Sequence, residues 1–130
     1  MEKKQFLDKY PIQSLKITKE QTTYNNVDEI INYLKNVINN HKIATYISTF
    51  EHYAHTKSID GKIQEDIKDA QNIIFCFGAA IPNSEILAIR PRSIGICEYE
   101  NHFSINFMDA PKEELTMLMT KWVKDIKNKG

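Results

Sequence analysis

The side chains with the most chemistry to offer sit close together in this chain: Cys97, Tyr99, His102, Ser104 and Asn106 bring a thiol, a phenol, an imidazole, a hydroxyl and an amide within ten residues. A thiol beside an imidazole is the pattern of a nucleophile and its base, and an imidazole alone can trade protons near neutral pH. Spacing decides whether these groups meet. Residues 93–99 and 102–108 alternate apolar and polar side chains around Glu100-Asn101, which predicts a β-hairpin with a two-residue turn. In that register Tyr99 opposes His102, Cys97 opposes Ser104 and Gly95 opposes Asn106, while Glu98, Ile96 and Ile94 oppose Phe103, Ile105 and Phe107. Cys97 and His102 are then diagonal neighbours on one polar face, an arrangement better suited to binding than to nucleophilic attack. A slip of one residue would turn the whole set toward the core.

Two further groups bear on chemistry. Glu51-His52-Tyr53-Ala54-His55 is a dense polar cluster, and in a regular strand Glu51 and His55 share one face while His52 lies on the other. His52 is accordingly a binding or acid/base residue, or else a structural histidine at the rim of the core. Arg90 and Arg92 flank Pro91 at the entrance to the hairpin, where they could hold a carboxylate or phosphate, or simply stand in solvent. His52, His55, Cys76, Cys97 and His102 are residue types that bind zinc, but no Cys-x-x-Cys or His-x-x-x-His spacing occurs, so no metal site is expected. No phosphate-loop or dinucleotide fingerprint is present, and the sequence identifies no cofactor.

The elements that must position these residues follow from periodicity. Residues 1–13 are polar with scattered Phe6, Leu7 and Tyr10, which suggests an N-terminal arm punctuated by Pro11. Residues 14–19 alternate as a short strand. Val27, Ile30, Ile31, Leu34, Val37 and Ile38 then recur at helical spacing behind Asn26, an N-cap with Glu29 three residues on. Residues 43–56 are rich in Ile, Thr, Tyr and Phe and predict a long strand with a bulge or bend, of open register. Residues 57–71 form a polar surface excursion with a turn at Asp60-Gly61 and helical spacing at Ile63, Ile67 and Ala70. Residues 72–80 are a central strand, and residues 82–88 a short helix behind a cap residue. After the hairpin, Asp109-Ala110-Pro111 opens a final helix with Leu115, Leu118, Met119, Trp122, Val123 and Ile126 along one side. The order β-α-β-β-β-β-α predicts an α+β fold over residues 1–130, a single domain in which two long helices pack on one face of an antiparallel sheet.

Bulk properties narrow the function classes. Lys plus Arg and Asp plus Glu balance at 17 each, so no global field draws nucleic acid or an anionic membrane surface. The longest apolar runs are about five residues, too short to span a bilayer. The charged start Met1-Glu2-Lys3-Lys4 leads into no signal region, so the expected location is the cytoplasm. Cys76 and Cys97 are expected to be free thiols there.

Three stretches, in order, carry a family resemblance: Phe50-Glu51-His52, Ile73-Ile74-Phe75-Cys76-Phe77-Gly78 and Arg90-Pro91-Arg92-Ser93-Ile94-Gly95-Ile96, closed by Asp109-Ala110-Pro111. Over residues 27–111 the chain resembles the bacterial domain-of-unknown-function family three hundred and two. That resemblance implies a TATA-binding-protein-like fold and a homodimer, and it implies no reaction. This chain departs from the family pattern at Gly78-Ala79-Ala80, where Gly-Asn-Pro is usual, and at Arg90, where an apolar residue precedes the proline. DNA-binding proteins of that fold use a doubled saddle with a basic surface, whereas a single neutral copy offering Gly95, Ser104 and Asn106 is not expected to bind nucleic acid.

Three functions remain open on the sequence. The favoured one is a non-catalytic small-ligand-binding or regulatory domain taking a polar or anionic ligand through His52, Cys97, Tyr99, His102, Ser104 and Asn106, with Arg90 and Arg92. The others are an enzyme using His52 or His102 as acid/base with Cys97, and a structural module whose polar face pairs with a second copy.

Overall fold

A computed structural model describes residues 1–129. Its elements are β1 (Glu2–Phe6), β2 (Tyr10–Thr18), α1 (Val27–Asn39), β3 (Ala44–Phe50), α2 (His52–Ser58), β4 (Asp69–Phe77), β5 (Arg92–Glu98), β6 (His102–Met108) and α3 (Glu113–Lys124). The six strands form one antiparallel sheet in the order β1-β2-β6-β5-β4-β3, an α+β architecture.

Alternation divides the sheet into two faces. Leu15 and Ile17 of β2, Phe103, Ile105 and Phe107 of β6, Ile94 and Ile96 of β5, and Ile73, Phe75 and Phe77 of β4 are all buried on one of them. Over that face lie Val27, Ile30, Ile31, Leu34 and Ile38 from α1, and Met119, Trp122 and Val123 from α3 with Ile126 just beyond it. Each such side chain contributes roughly 1.5–3 kcal/mol by leaving water, so this single layer of contacts holds the helices on the sheet. The expected cap of α1 is present: Asn26 Oδ1 accepts from the Glu29 amide at 2.9 Å. The reciprocal bond lands one residue earlier, from the Asn25 amide to Glu29 Oε1 at 2.8 Å.

Tyr33 on α1 ties the two helices by donating its hydroxyl to the Trp122 carbonyl at 2.7 Å. Burial first, then the charges of Asp125 and Tyr24, push its pKa up to about 12. The folded form therefore holds this proton more tightly than the unfolded chain, whose phenol titrates near 10, so the contribution is complete below pH 10 and is lost as pH rises toward 12. The expected result is that wild-type stability, measured by urea denaturation, falls between pH 10 and 12 more steeply than that of Tyr33→Phe. Parallel curves for the two proteins would remove the assignment.

Three local expectations are corrected. Residues 1–13 form paired strands and not an arm: β1 and β2 make a hairpin through Leu7 and Asp8, both at positive φ, with the Lys9 amide donating to the Phe6 carbonyl at 3.1 Å. All five β1 residues are exposed, so there was no alternation to read, and the turn uses neither Gly nor Asn. Its lysines also blunt an open sheet edge. The strand expected over residues 43–56 stops at Phe50, after a register shift between Tyr46 and Ser48, and His52–Ser58 is helical instead. That helix ends with Asp60 in the left-handed region, and a side chain at Gly61 would meet the Thr56 methyl at 2.7 Å, so the Asp60-Gly61 turn is required where it was expected. Helical spacing at Ile63, Ile67 and Ala70 produces no helix, because Asp69 already begins β4. The short helix after Pro82 is present as a 3₁₀ segment, Ser84–Ile89, capped by Asn83.

Candidate functional site

The hairpin has the register its alternation predicts. Gly95 opposes Asn106, Cys97 opposes Ser104 and Glu98 opposes Phe103, and the Tyr99 amide donates to the His102 carbonyl at 2.8 Å across the Glu100-Asn101 turn. Since Ile96 and Ile105 face the helices, Cys97, Tyr99, His102, Ser104 and Asn106 belong to the opposite, open face. Lys19 fixes the turn end: its amide donates to the Asn101 carbonyl at 2.9 Å, and its Nζ meets Glu98 at 2.7 Å and sits over the Phe103 ring.

Pairing with β2, and of β2 with β1, extends this open face. Ser104 stands opposite Lys16, Asn106 opposite Ser14 and Met108 opposite Ile12, while Lys4 and Phe6 oppose Ile12 and Tyr10. A trough of about 990 Å³ results. Phe6, Ile12, Ile89 and Met108 line one part of it, and Ser14, Tyr99, Ser104 and Asn106 line another, with Lys4 and Gln64 beside them. A smaller hollow of about 560 Å³ shares Lys4, Ser14, Tyr99 and Ser104 and adds Lys16 and His102. The hairpin therefore supplies most of the hydrogen-bonding groups of the trough, joined by Ser14 of β2, and the N-terminal strands supply much of the rest.

The electrostatics favour neutral groups. Burial, then the nearby Cys97 and Asp66, push the Tyr99 phenol up. Burial and then Asp69 push the Cys97 thiol up, which disfavours a thiolate. Burial first and then Lys16 hold the His102 imidazole below its ordinary value, with Lys19 acting the same way and Asp66 opposing. His102 stacks flat on Tyr99, the rings 4.5 Å apart and 8° from parallel. What faces the trough is a set of hydroxyl, phenol and amide groups able both to donate and to accept.

The other expected residues are dispersed. His52 and His55 stand on α2, one turn apart, with their rings 5.0 and 5.5 Å from that of Phe50. Neither borders the trough, so the question of which one meets the hairpin dissolves with the strand that posed it. Cys97 shares the open face but lines neither hollow. Cys97 opposes Ala70, six residues along β4 from Cys76, a separation of about 20 Å that no disulfide spans, and both thiols are free. Arg92 borders the trough, yet its guanidinium donates to the carbonyls of Met108 and Asp109. Arg90 donates to the Ala80 carbonyl at 2.7 Å. Sequence reasoning missed Lys4, Phe6, Ile12 and Ser14, for which the only signal was the sparse alternation of a polar edge strand and its neighbour. It also passed over His41, which closes a separate cavity on the helix side.

Among the described residues, no group of three or more His, Cys, Asp and Glu side chains is placed to hold a metal ion. Among the described residues, no helix is long and apolar enough to cross a membrane.

Comparison with known proteins bears on the family and the fold. The model of a family of unknown function, DUF6858, matches residues 1–128. No curated protein matches the chain. A solved structure, the crystal structure of an uncharacterized conserved protein DUF302 from Bacillus stearothermophilus, is similar at 11% sequence identity with a TM-score of 0.58, over 90% of this chain and 87% of that one. At that identity the likeness shows a shared fold, the fold the three sequence stretches pointed to, and carries no residue roles.

Proposed function

The chain belongs to the DUF6858 family of unknown function, and from that premise, which brings no activity with it, we propose that it is a cytosolic, non-catalytic small-ligand-binding module whose site is the trough on the open face of the sheet. One observation carries the reading. The trough, about 990 Å³, is lined both by apolar side chains, those of Phe6, Ile12, Ile89 and Met108, and by the polar groups of Ser14, Tyr99, Ser104 and Asn106. A concave site of that size, with a few placed hydrogen-bonding groups and apolar surface, is what a small amphipathic molecule requires. Lys4, which also pairs with Glu2 at 3.3 Å, borders the trough and Lys16 borders the adjoining hollow, so a polar or anionic head is favoured on that side. Against catalysis by the same groups stand the raised thiol of Cys97 and the diagonal placement of His102, whose ring is occupied by Tyr99.

A thermal-shift screen of medium-chain and aromatic amides, alcohols and carboxylates tests this reading. Compounds that bind the trough should raise the melting temperature of the wild type by several degrees at about a hundredfold excess over Kd. Asn106→Leu should remove most of that shift. A screen without a single stabilising compound, or one whose hits ignore Asn106→Leu, would count against the site.

A second reading draws on the exposure of Phe6, Tyr10 and Met108 beside the trough, an apolar patch suited to pairing with another copy of the chain. Sedimentation equilibrium separates the two: the pairing reading requires a dimer at micromolar concentration that Phe6→Glu dissociates, and a monomer throughout removes it.

A further inference from the structure

A second cavity, of about 580 Å³, lies on the helix side of the sheet between the segment that follows β4 and the start of α3. Its walls are apolar, with Phe77, Ile86, Leu115 and Leu118 among them. The charges around it are unbalanced: Arg90, Arg92 and Lys112 line it against the single carboxylate of Glu114, in a chain whose net charge is zero. Among the described residues none of these three cations takes part in a salt bridge. The nearby carboxylate of Asp109 is engaged by Lys3 at 3.3 Å and Gln13 at 2.8 Å, and what remains of its charge favours the partly desolvated Arg92 cation, not Arg90 or Lys112. Arg90 spends one Nη on the Ala80 carbonyl and keeps its other donors. Arg92 is anchored through Nη2, while its Nε, shielded from solvent, has no acceptor. An apolar chamber bordered by the guanidinium of Arg90 and the ammonium of Lys112, neither in a salt bridge among the described residues, fits an acid with a hydrocarbon body, since a carboxylate matches the guanidinium fork and the body replaces water along the walls.

We propose that this cavity is a binding site for an apolar carboxylate, held at its head by Arg90 and Lys112 and along its body by Phe77, Ile86, Leu115 and Leu118. The site is independent of the open-face trough, because it lies across the sheet and shares with it only the Ile89 and Arg92 boundary. A reporter lies directly behind its wall, outside the lining itself. Trp122, the one tryptophan of the chain, stacks on Phe77 with ring centroids 5.8 Å apart, and His41 stands edge-on to both rings.

Titration of the full chain with octanoate, 1-octanol and octylammonium, followed by Trp122 fluorescence and by calorimetry, tests the proposal. Octanoate, below its micelle-forming concentration, should give a saturable change and bind at least about tenfold more tightly than either of the others. Arg90→Gln with Lys112→Gln should abolish that preference while leaving octanol binding in place. Lys112→Gln alone, at an exposed position, should weaken octanoate several-fold and serves if the double variant does not fold. Asn106→Leu should bind octanoate as the wild type does. No saturable response, equal affinity for octanoate and octanol, indifference to Lys112→Gln, or loss of octanoate binding in Asn106→Leu would each overturn the assignment.

Discussion

Phe103→Ala is expected to destabilise the chain by about 3–5 kcal/mol, measured by urea denaturation. Phe103 has no solvent exposure and sits on β6, which is hydrogen-bonded on both sides, to β2 and to β5. Truncation removes the transfer free energy of the ring and leaves a cavity that a strand clamped on both edges cannot close. It also removes the surface over which Lys19 Nζ lies, 5.4 Å from the ring centroid. Since domains of this kind are held by roughly 5–15 kcal/mol, the loss should be visible as a large fall in the denaturation midpoint. A loss under about 1.5 kcal/mol would mean that the hairpin does not form the centre of the core in the register described.

Lys19→Met should cost about 2 kcal/mol, less than the 3–5 kcal/mol of a fully buried broken pair, because the Lys19 side chain keeps 30% of its exposure. The substitution strands the Glu98 carboxylate, whose side chain is 14% exposed on the core side of the hairpin end. The discriminating step is the second change: Glu98→Gln in the Lys19→Met background should recover more than half of the loss, since the penalty is that of an unpaired charge. If the double variant instead costs the sum of the two single variants, the coupling is zero, the pair contributes nothing and the turn is held by the Lys19 amide alone.

Phe103 and Glu98 also show how much of this molecule the sequence displays. Strict alternation from residue 93 to residue 108 defined the hairpin, its two-residue turn and the identity of its two faces, because period two in a half-buried strand leaves few alternatives. Helix α1 was equally legible, with Asn26 capping a continuous apolar stripe. The pairing of Glu98, however, was not legible, since its partner is 79 residues away and no local pattern points to Lys19. The stretch after Phe50 was misread because Tyr53 and Thr56 prolong a strand-like composition, and β propensity is readily overridden by context. For the trough, the hairpin's contribution could be seen and that of β1 could not. An exposed, charged edge strand has no alternation, so Lys4 and Phe6 declare themselves only once β1 is paired with β2. The helix-side cavity was half visible: Arg90 and Arg92 stood out beside Pro91, while His41, just after α1, and Lys112, at the start of α3, join them in its lining only through the packing of the two helices on the sheet.

The open-face site is tested most directly by amide chemical-shift mapping of the isotopically labelled full chain, using those screening compounds whose stabilising effect Asn106→Leu removes. The largest shifts are expected at Ser14, Tyr99, Ser104 and Asn106, with Leu115 and Leu118 on the far side of the sheet unmoved. Shifts centred on α2 or α3, or the absence of any compound that moves these four amides, would contradict a binding trough on the open face.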